Sequence, residues 1–213
     1  SSISYDIKAI VIPGQVNRSF ATSWVDVDSA VRESDIFKEC KANPGNVEKY
    51  RLAMENAGED EKSQISAIRC ALTDEIQWDE TRRLIPVAAS KARKEGKASG
   101  ATLNAMLCSI LNSLGFKANP VLYKSRSNGI IADFYVSLST FDGFILQIVT
   151  PQGKTHYLDA ASPEGWIDIL PVNMLVEKGR LLPLDGSAGS WVDLRELTRS
   201  SKTIMVKENI IKD

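Results

Sequence analysis

The sequence predicts an α+β fold in which one buried central helix packs on an antiparallel sheet. Residues 100–114 form the most apolar helical pattern of the chain. Residues 143–150 and 155–160 are two strand-like segments separated by the turn sequence PQGK, which is typical of a hairpin. Because these strands follow the helix instead of alternating with further helices, we expect antiparallel pairing.

The composition is that of an ordinary globular protein. Of 213 residues, 43% are hydrophobic and 25% are charged, close to the averages for folded domains. A formal net charge of −1 gives no electrostatic reason to expect nucleic acid or an anionic membrane as a partner. No apolar run approaches the roughly 20 residues of a membrane-spanning helix, and residues 1–6 lack the pattern of a secretion signal.

The first third of the chain is expected to lead into the main domain. Alternating apolar residues predict a strand over residues 1–12. Short helices are expected over 24–37 and 47–57, followed by an acidic turn at 58–61. We therefore predict that residues 1–58 comprise the end of an upstream β domain and a helical linker.

Two helices are expected before the central one. Apolar residues at helical spacing predict an amphipathic helix over 62–77, and a second helix should follow Pro86 and end at Gly96. Basic residues surround the second helix. Because no aromatic residues interleave with them, they indicate a solvated surface rather than a phosphate site. They are Arg82, Arg83, Lys91, Arg93, Lys94 and Lys97.

The central helix is predicted to begin after Ser99 and to stop before Gly115. A helix start of this kind can hold an anion on its backbone N–H groups. The surrounding sequence is not a phosphate-binding loop, however, and the role of helix cap is favoured for Ser99.

After the central helix, strands are expected over 120–124 and 130–138, with a turn at 127–129 between them. The hairpin of 143–160 follows, residues 170–189 read as irregular, and a last strand is expected over 203–206. We predict one core over residues 59–190 and the start of a downstream β domain at 191–213.

The three cysteines do not suggest a metal or redox motif. Cys40, Cys70 and Cys108 are far apart in sequence and form no CxxC pair. We expect all three to be structural thiols, with Cys70 and Cys108 buried in helices. His156 is the only histidine, and we expect neither a metal nor a cofactor.

Several segments together resemble one known family. They are residues 67–78, 103–107, 114–122, 125–129, 157–160 and 170–171. In order and spacing they resemble the transglutaminase-like core, a papain-like fold, of multidomain exported proteins of Bacteroidetes-type bacteria. The resemblance implies a periplasmic or cell-surface location, with β domains on both sides. Trp24–Val27 and Trp191–Leu194 resemble the junctions to those domains.

The resemblance also implies where a catalytic triad would stand. Active members use a cysteine at the start of the central helix, activated by a histidine that an aspartate orients. The cysteine position falls on Gly100, the histidine position on Gly143 and the aspartate position on Asp159. An alignment shifted by one residue offers Ser99 and Asp142 instead. The candidate cleft is therefore lined by Ser99, Gly100, Asp142 and Asp159, and family-type catalysis is not expected.

Three functional interpretations remain open at this point. The first is a non-catalytic binding or scaffolding module whose ligand is a peptide, peptidoglycan or a glycan, and whose other partners are domains of the same polypeptide. The second is an active cysteine or serine amidohydrolase or acyl transferase with a non-standard site. Cys108 fits that reading poorly because it lies about two turns inside a buried helix. The third is a rigid spacer, which a cleft plugged by large side chains would favour.

Overall fold

The computed structural model describes residues 9–12, 16–19, 23–131, 136–163, 166–171, 174 and 176–198. It confirms the predicted α+β class, with several helices packed against a curled antiparallel sheet. None of the helices in these ranges has both the length and the apolar character needed to cross a membrane.

Six α-helices lie in the described part of the chain. They are α1 (Trp24–Glu33), α2 (Asp35–Cys40), α3 (Glu48–Asn56), α4 (Glu61–Thr73), α5 (Ala89–Glu95) and α6 (Gly100–Ser113). The helix expected over 24–37 is two helices, because Ser34 adopts an extended backbone and caps α2 through its side chain. Helix α5 ends at Gly96, whose backbone is left-handed with a φ of 65°.

In the described ranges, the strands form a five-stranded sheet and two small pairs. The strands are β1 (Ala9–Ile12), β2 (Val16–Ser19), β3 (Gln77–Trp78), β4 (Lys97–Ala98), β5 (Lys117–Tyr123), β6 (Gly143–Val149), β7 (Thr155–Leu158), β8 (Lys178–Leu181) and β9 (Ser190–Asp193). The large sheet has the order β7-β6-β5-β8-β9, and every neighbouring pair in it is antiparallel.

Several sequence predictions differ from these elements. Helix α4 ends at Thr73, and the chain then forms the two-residue strand β3, which pairs in parallel with β4. The segment 170–189, predicted as irregular, contains β8. Its sequence KGRL has no apolar alternation, so periodicity could not reveal it. The strand expected over 130–138 is wrong for its described residues, which are irregular until Leu138 begins a 3₁₀ turn. Residues 132–135, residues 1–8 of the expected strand 1–12, and all of 203–206 lie outside the described residues.

Helix α6 is the centre of the core. Its residues 100–111 are all buried, and the helix packs against β5 and β6 on one side and against α2 and α4 on the other. Its large apolar side chains Leu103, Leu107, Ile110 and Leu111 have no exposed surface. Burying such side chains stabilises the fold by roughly 1.5–3 kcal/mol each, so the elements around α6 are held to one core.

A buried ion pair joins the N-terminal helices to the far side of the sheet. Arg180 on β8 donates two hydrogen bonds to the Asp28 carboxylate of α1, from Nε at 3.0 Å and from Nη2 at 2.7 Å. Both side chains are 8% exposed. The segment predicted as a linker is thus attached to the core sheet at α1.

Replacing Asp28 with asparagine should lower the free energy of unfolding by about 3 kcal/mol, because Arg180 would be left buried without its counter-charge. Glu33→Gln, an exposed position on the same helix, should change it by less than about 0.5 kcal/mol. Urea denaturation of both variants measures the difference. Equal stabilities of the two variants would contradict a structural role for this pair.

Candidate functional site

The start of α6 has no free backbone donors in its first turn. The Gly100 N–H donates to the carbonyl of Thr81 at 2.8 Å and the Ala101 N–H to that of Arg82 at 3.0 Å. The Thr102 N–H donates to the Ser99 side chain, which caps the helix. The N–H groups that could bind an anion or stabilise an oxyanion are therefore used within the chain.

The segment of residues 79–87 covers this helix start. Thr81 is held in a turn by Asp79, whose carboxylate accepts from its N–H at 2.9 Å and from its hydroxyl at 2.6 Å. The Trp78 indole N–H donates to the Thr81 carbonyl at 2.8 Å. At the other end, the Val87 N–H donates to the Thr102 hydroxyl at 3.0 Å. This segment therefore covers the first turn of α6.

Asp159 is the centre of a buried polar network. Its carboxylate is 1% exposed and accepts from Arg82 Nη1 at 2.5 Å. It also accepts from Asn104 Nδ2 at 3.0 Å and from the Ala161 N–H at 3.3 Å. Asn104 in turn accepts from the Ala160 N–H at 2.8 Å. Asp159 thus connects α6, the end of β7 and the segment 79–87.

Gly143 lies directly opposite Tyr123 in the β5–β6 pair, and the tyrosine occupies the space beside it. A Cβ atom at position 143 would lie 2.6 Å from the Tyr123 hydroxyl oxygen and 2.7 Å from its Cζ. Tyr123 is 2% exposed, so its ring cannot move aside into solvent. A histidine at this position would need the tyrosine to be absent.

Arg82 lies next to two of the three positions that the family resemblance assigns to a triad, Gly100 and Asp159. It bonds to Asp159, its Cα would lie 3.6 Å from a Cβ at position 100, and its charge acts on the nearby Tyr123. Burial raises the pKa of Tyr123 well above its usual range despite that charge, so the phenol stays neutral. The prediction that Arg82 belongs to a solvated basic surface is wrong, because its side chain is only 19% exposed.

Asp142, the fourth candidate cleft residue, holds a surface loop. Its carboxylate accepts from the Ser125 N–H at 2.9 Å, from the Ser125 hydroxyl at 2.7 Å and from Asn128 Nδ2 at 2.5 Å. Ser99, Gly100 and Asp159 are buried. The four residues therefore do not line an open cleft together.

Cys108 and His156, the thiol buried in α6 and the one histidine of the sequence, do not meet. Cys108 is fully buried, and its thiol donates to the Ala118 carbonyl at 3.3 Å. In the sheet, Ala118 pairs with Ile148, and Ile148 pairs with His156. His156 is therefore two strands from Ala118, a separation of roughly 10 Å. The His156 Nδ1 atom is 2.9 Å from Asp168.

The cysteines are mostly as expected. Cys40 and Cys108 are buried, whereas Cys70 is exposed on α4, contrary to its prediction. A hydrogen bond with Cys108, together with burial, raises the pKa of the Cys40 thiol well above its ordinary value. A thiol that stays protonated is a poor nucleophile. Among the described residues, no group of three or more His, Cys, Asp or Glu side chains is placed to hold a metal ion.

Comparisons with known proteins give one structural likeness. No protein-family model matches the chain, and no curated protein matches it. A crystal structure from Parabacteroides distasonis, of a protein described provisionally as a protease, is similar with a TM-score of 0.43 and 12% sequence identity. The match covers 78% of this chain and 29% of that protein, so the chain spans less than a third of that protein's length.

Arg82 and Tyr123 make the main contacts at the candidate site. The sequence pattern had predicted neither of them as a site residue. Tyr123 lies inside the strand predicted over 120–124, but its contact with Gly143 depends on a pairing between strands that the sequence pattern did not predict. The contact of Arg82 could not be predicted either, because its partner Asp159 is 77 residues away.

Gly143→Ala should lower the free energy of unfolding by about 1–3 kcal/mol, because its methyl group would overlap the fixed Tyr123 ring. The same change in a Tyr123→Ala background should cost almost nothing, since the ring is gone. Thermal or urea unfolding of the four proteins in this cycle measures the coupling. Independent effects of the two substitutions would show that the ring does not occupy this space.

Asp159→Asn should lower the free energy of unfolding by about 3 kcal/mol, because Arg82 loses its counter-charge and one amide group faces hydrogen-bond donors. Arg82→Gln should be destabilising as well, and the two effects should not add. Asp74→Asn, at an exposed position, is the matched control. An unchanged melting temperature for Asp159→Asn would instead point to a functional role for this carboxylate.

Proposed function

We propose that this chain is a transglutaminase-like core that has no catalytic function and acts as a scaffolding module in an exported multidomain protein. The proposal rests on the observation that side chains of the protein itself occupy the candidate site. Arg82 is paired with Asp159, and Tyr123 takes the space beside Gly143. The acidic residue of this site is therefore bonded to arginine, and position 143 has no room for a larger side chain.

The side chains that fill the site cannot replace a cysteine and histidine. Arginine stays protonated at all physiological pH values and cannot act as a base. The raised pKa of Tyr123 keeps its phenol protonated, so it is neither a nucleophile nor a base near neutral pH. Ser99 has a hydroxyl, but that group accepts from the Thr102 N–H and lies 3.1 Å from the Thr102 hydroxyl, with no base bonded to it.

Features outside the site support the scaffolding role. Trp24, at the start of α1, contacts Trp191 on β9 edge to face, with ring centroids 4.9 Å apart. Phe141 joins them, with its centroid 5.9 Å from that of Trp24. The two predicted junctions to neighbouring domains therefore meet at one place, so a rigid core would fix the separation of the domains it connects.

The active-enzyme interpretation gains no support from the described geometry. It requires a nucleophile, a base and an oxyanion donor within hydrogen-bond reach of one another. Cys108 and His156 are separated by the width of two strands, and the N–H groups at the start of α6 are occupied.

Purified protein should show no amidase or transamidation activity above the buffer background on casein and on glutamine-containing peptides. Release of ammonia and incorporation of a fluorescent amine measure the two reactions, with an active papain-type enzyme as the positive control. Cys108→Ala should change stability without changing either signal. Activity that iodoacetamide abolishes would overturn the proposal, and its loss in Cys108→Ala would identify the nucleophile.

A further inference from the structure

A cavity of about 440 Å³ lies where β5 ends and β8 begins, outside the filled site. Its volume falls in the lower part of the range typical of small-molecule sites. Among the described residues, three cations, Lys124, Arg126 and Lys178, and one carboxylate, Glu177, line it. The balance of charge around the cavity is therefore positive and suits an anion.

The rest of the lining is aliphatic. Ile130, Ile131 and Val176 contribute to the wall, and Ile130 is 80% exposed. A single exposed isoleucine is ordinary on a protein surface. Here it adjoins two half-buried aliphatic side chains, so the cavity has a charged side and an apolar side.

The charged side is arranged before any ligand binds. Lys124 directly follows β5, and Lys178 is the first residue of β8, the strand that pairs with β5. The Lys178 ammonium lies over the Trp191 ring, 4.9 Å from its centroid, and Lys124 Nζ donates to the Ile130 carbonyl at 3.3 Å.

Arg126 stands on a loop that the chain holds in place. It begins the 3₁₀ turn Arg126–Asn128, and the Asp142 carboxylate binds both ends of that turn through Ser125 and Asn128. A planar guanidinium in a fixed loop suits two-point recognition of a carboxylate. Asp142 is therefore a positioning residue for this loop.

We propose that this cavity binds the carboxyl terminus of a peptide whose last side chain is aliphatic. The cations would take the carboxylate, and the aliphatic wall would take the side chain. The described lining residues pair cationic with aliphatic side chains, a combination that matches a carboxylate joined to an aliphatic group. This binding role goes beyond scaffolding and does not depend on it.

The test uses three probes on ¹⁵N-labelled protein: N-acetyl-leucine, its uncharged amide N-acetyl-leucinamide, and inorganic phosphate. The acid should cause saturable shifts of the amide signals of Lys124, Arg126, Gly129 and Ile131. The amide and phosphate should each bind at least about tenfold more weakly, because each lacks one half of the recognised chemistry.

Matched variants separate specific binding from general charge. Lys124→Gln/Arg126→Gln should weaken binding of the acid by about tenfold or more. Lys94→Gln/Lys97→Gln makes the same charge change at exposed positions and should leave binding unchanged. Melting temperatures within about 2 °C of the parent protein would show that all variants fold, since ΔΔG would then be well under 1 kcal/mol.

Each other outcome overturns the proposal. Absence of saturable shifts would mean that the cavity does not bind this class of ligand. Equal affinity for the acid and its amide would show apolar binding without carboxylate recognition. Equal affinity for phosphate would show a general anion site, and equal losses in both double variants would show unspecific attraction. None of these results depends on whether the chain has catalytic activity.

Discussion

Residues 100–111 of helix α6 are buried, and the rest of the fold supplies the apolar contacts and hydrogen bonds that this burial requires. Its apolar side chains require cover from the sheet and from α2 and α4. Its polar groups require internal partners, because an unsatisfied buried polar group costs about 1–3 kcal/mol. Asn104 therefore bonds to Asp159 and Ala160, and the N–H groups of the first turn bond to the segment 79–87.

The need to pair buried polar groups also explains why the start of α6 is covered by protein. The start of a helix with free N–H groups attracts anions, and an enzyme uses this field to activate a nucleophile. Here the carbonyl groups of Thr81 and Arg82 accept hydrogen bonds from two of these N–H groups. The Arg82 side chain forms an ion pair with the Asp159 carboxylate. The segment 79–87 thus supplies acceptors for the N–H groups at the start of α6 and a counter-charge for the Asp159 carboxylate. Stability of the core and access to the helix start are incompatible in this arrangement.

Local patterns predicted the parts of the fold that local physics determines. Helix α6 followed from its apolar spacing, the end of α5 from Gly96, and the β6–β7 hairpin from its turn residues. Strand β8 was missed because its residues KGRL have no alternation. The sequence also indicated that Gly100 and Gly143 lack reactive groups. It could not indicate that Arg82 and Tyr123 take up the space, since both contacts join residues distant in sequence.

The end of β5 connects the filled site with the cavity proposed to bind a peptide carboxylate. Successive residues of an extended chain point to opposite sides, and Tyr123 is buried beside Gly143 while Lys124 lines the cavity. On the neighbouring strand, Gly143 accommodates the tyrosine and Asp142 holds the loop that carries Arg126. The contact of Tyr123 with Gly143 and the anchoring of the loop by Asp142 depend on the same register between β5 and β6. A substitution that shifted this register would therefore disturb both the candidate site and the cavity. The close packing of Tyr123 against Gly143 and the order of the loop beside the cavity are therefore consequences of the same pairing.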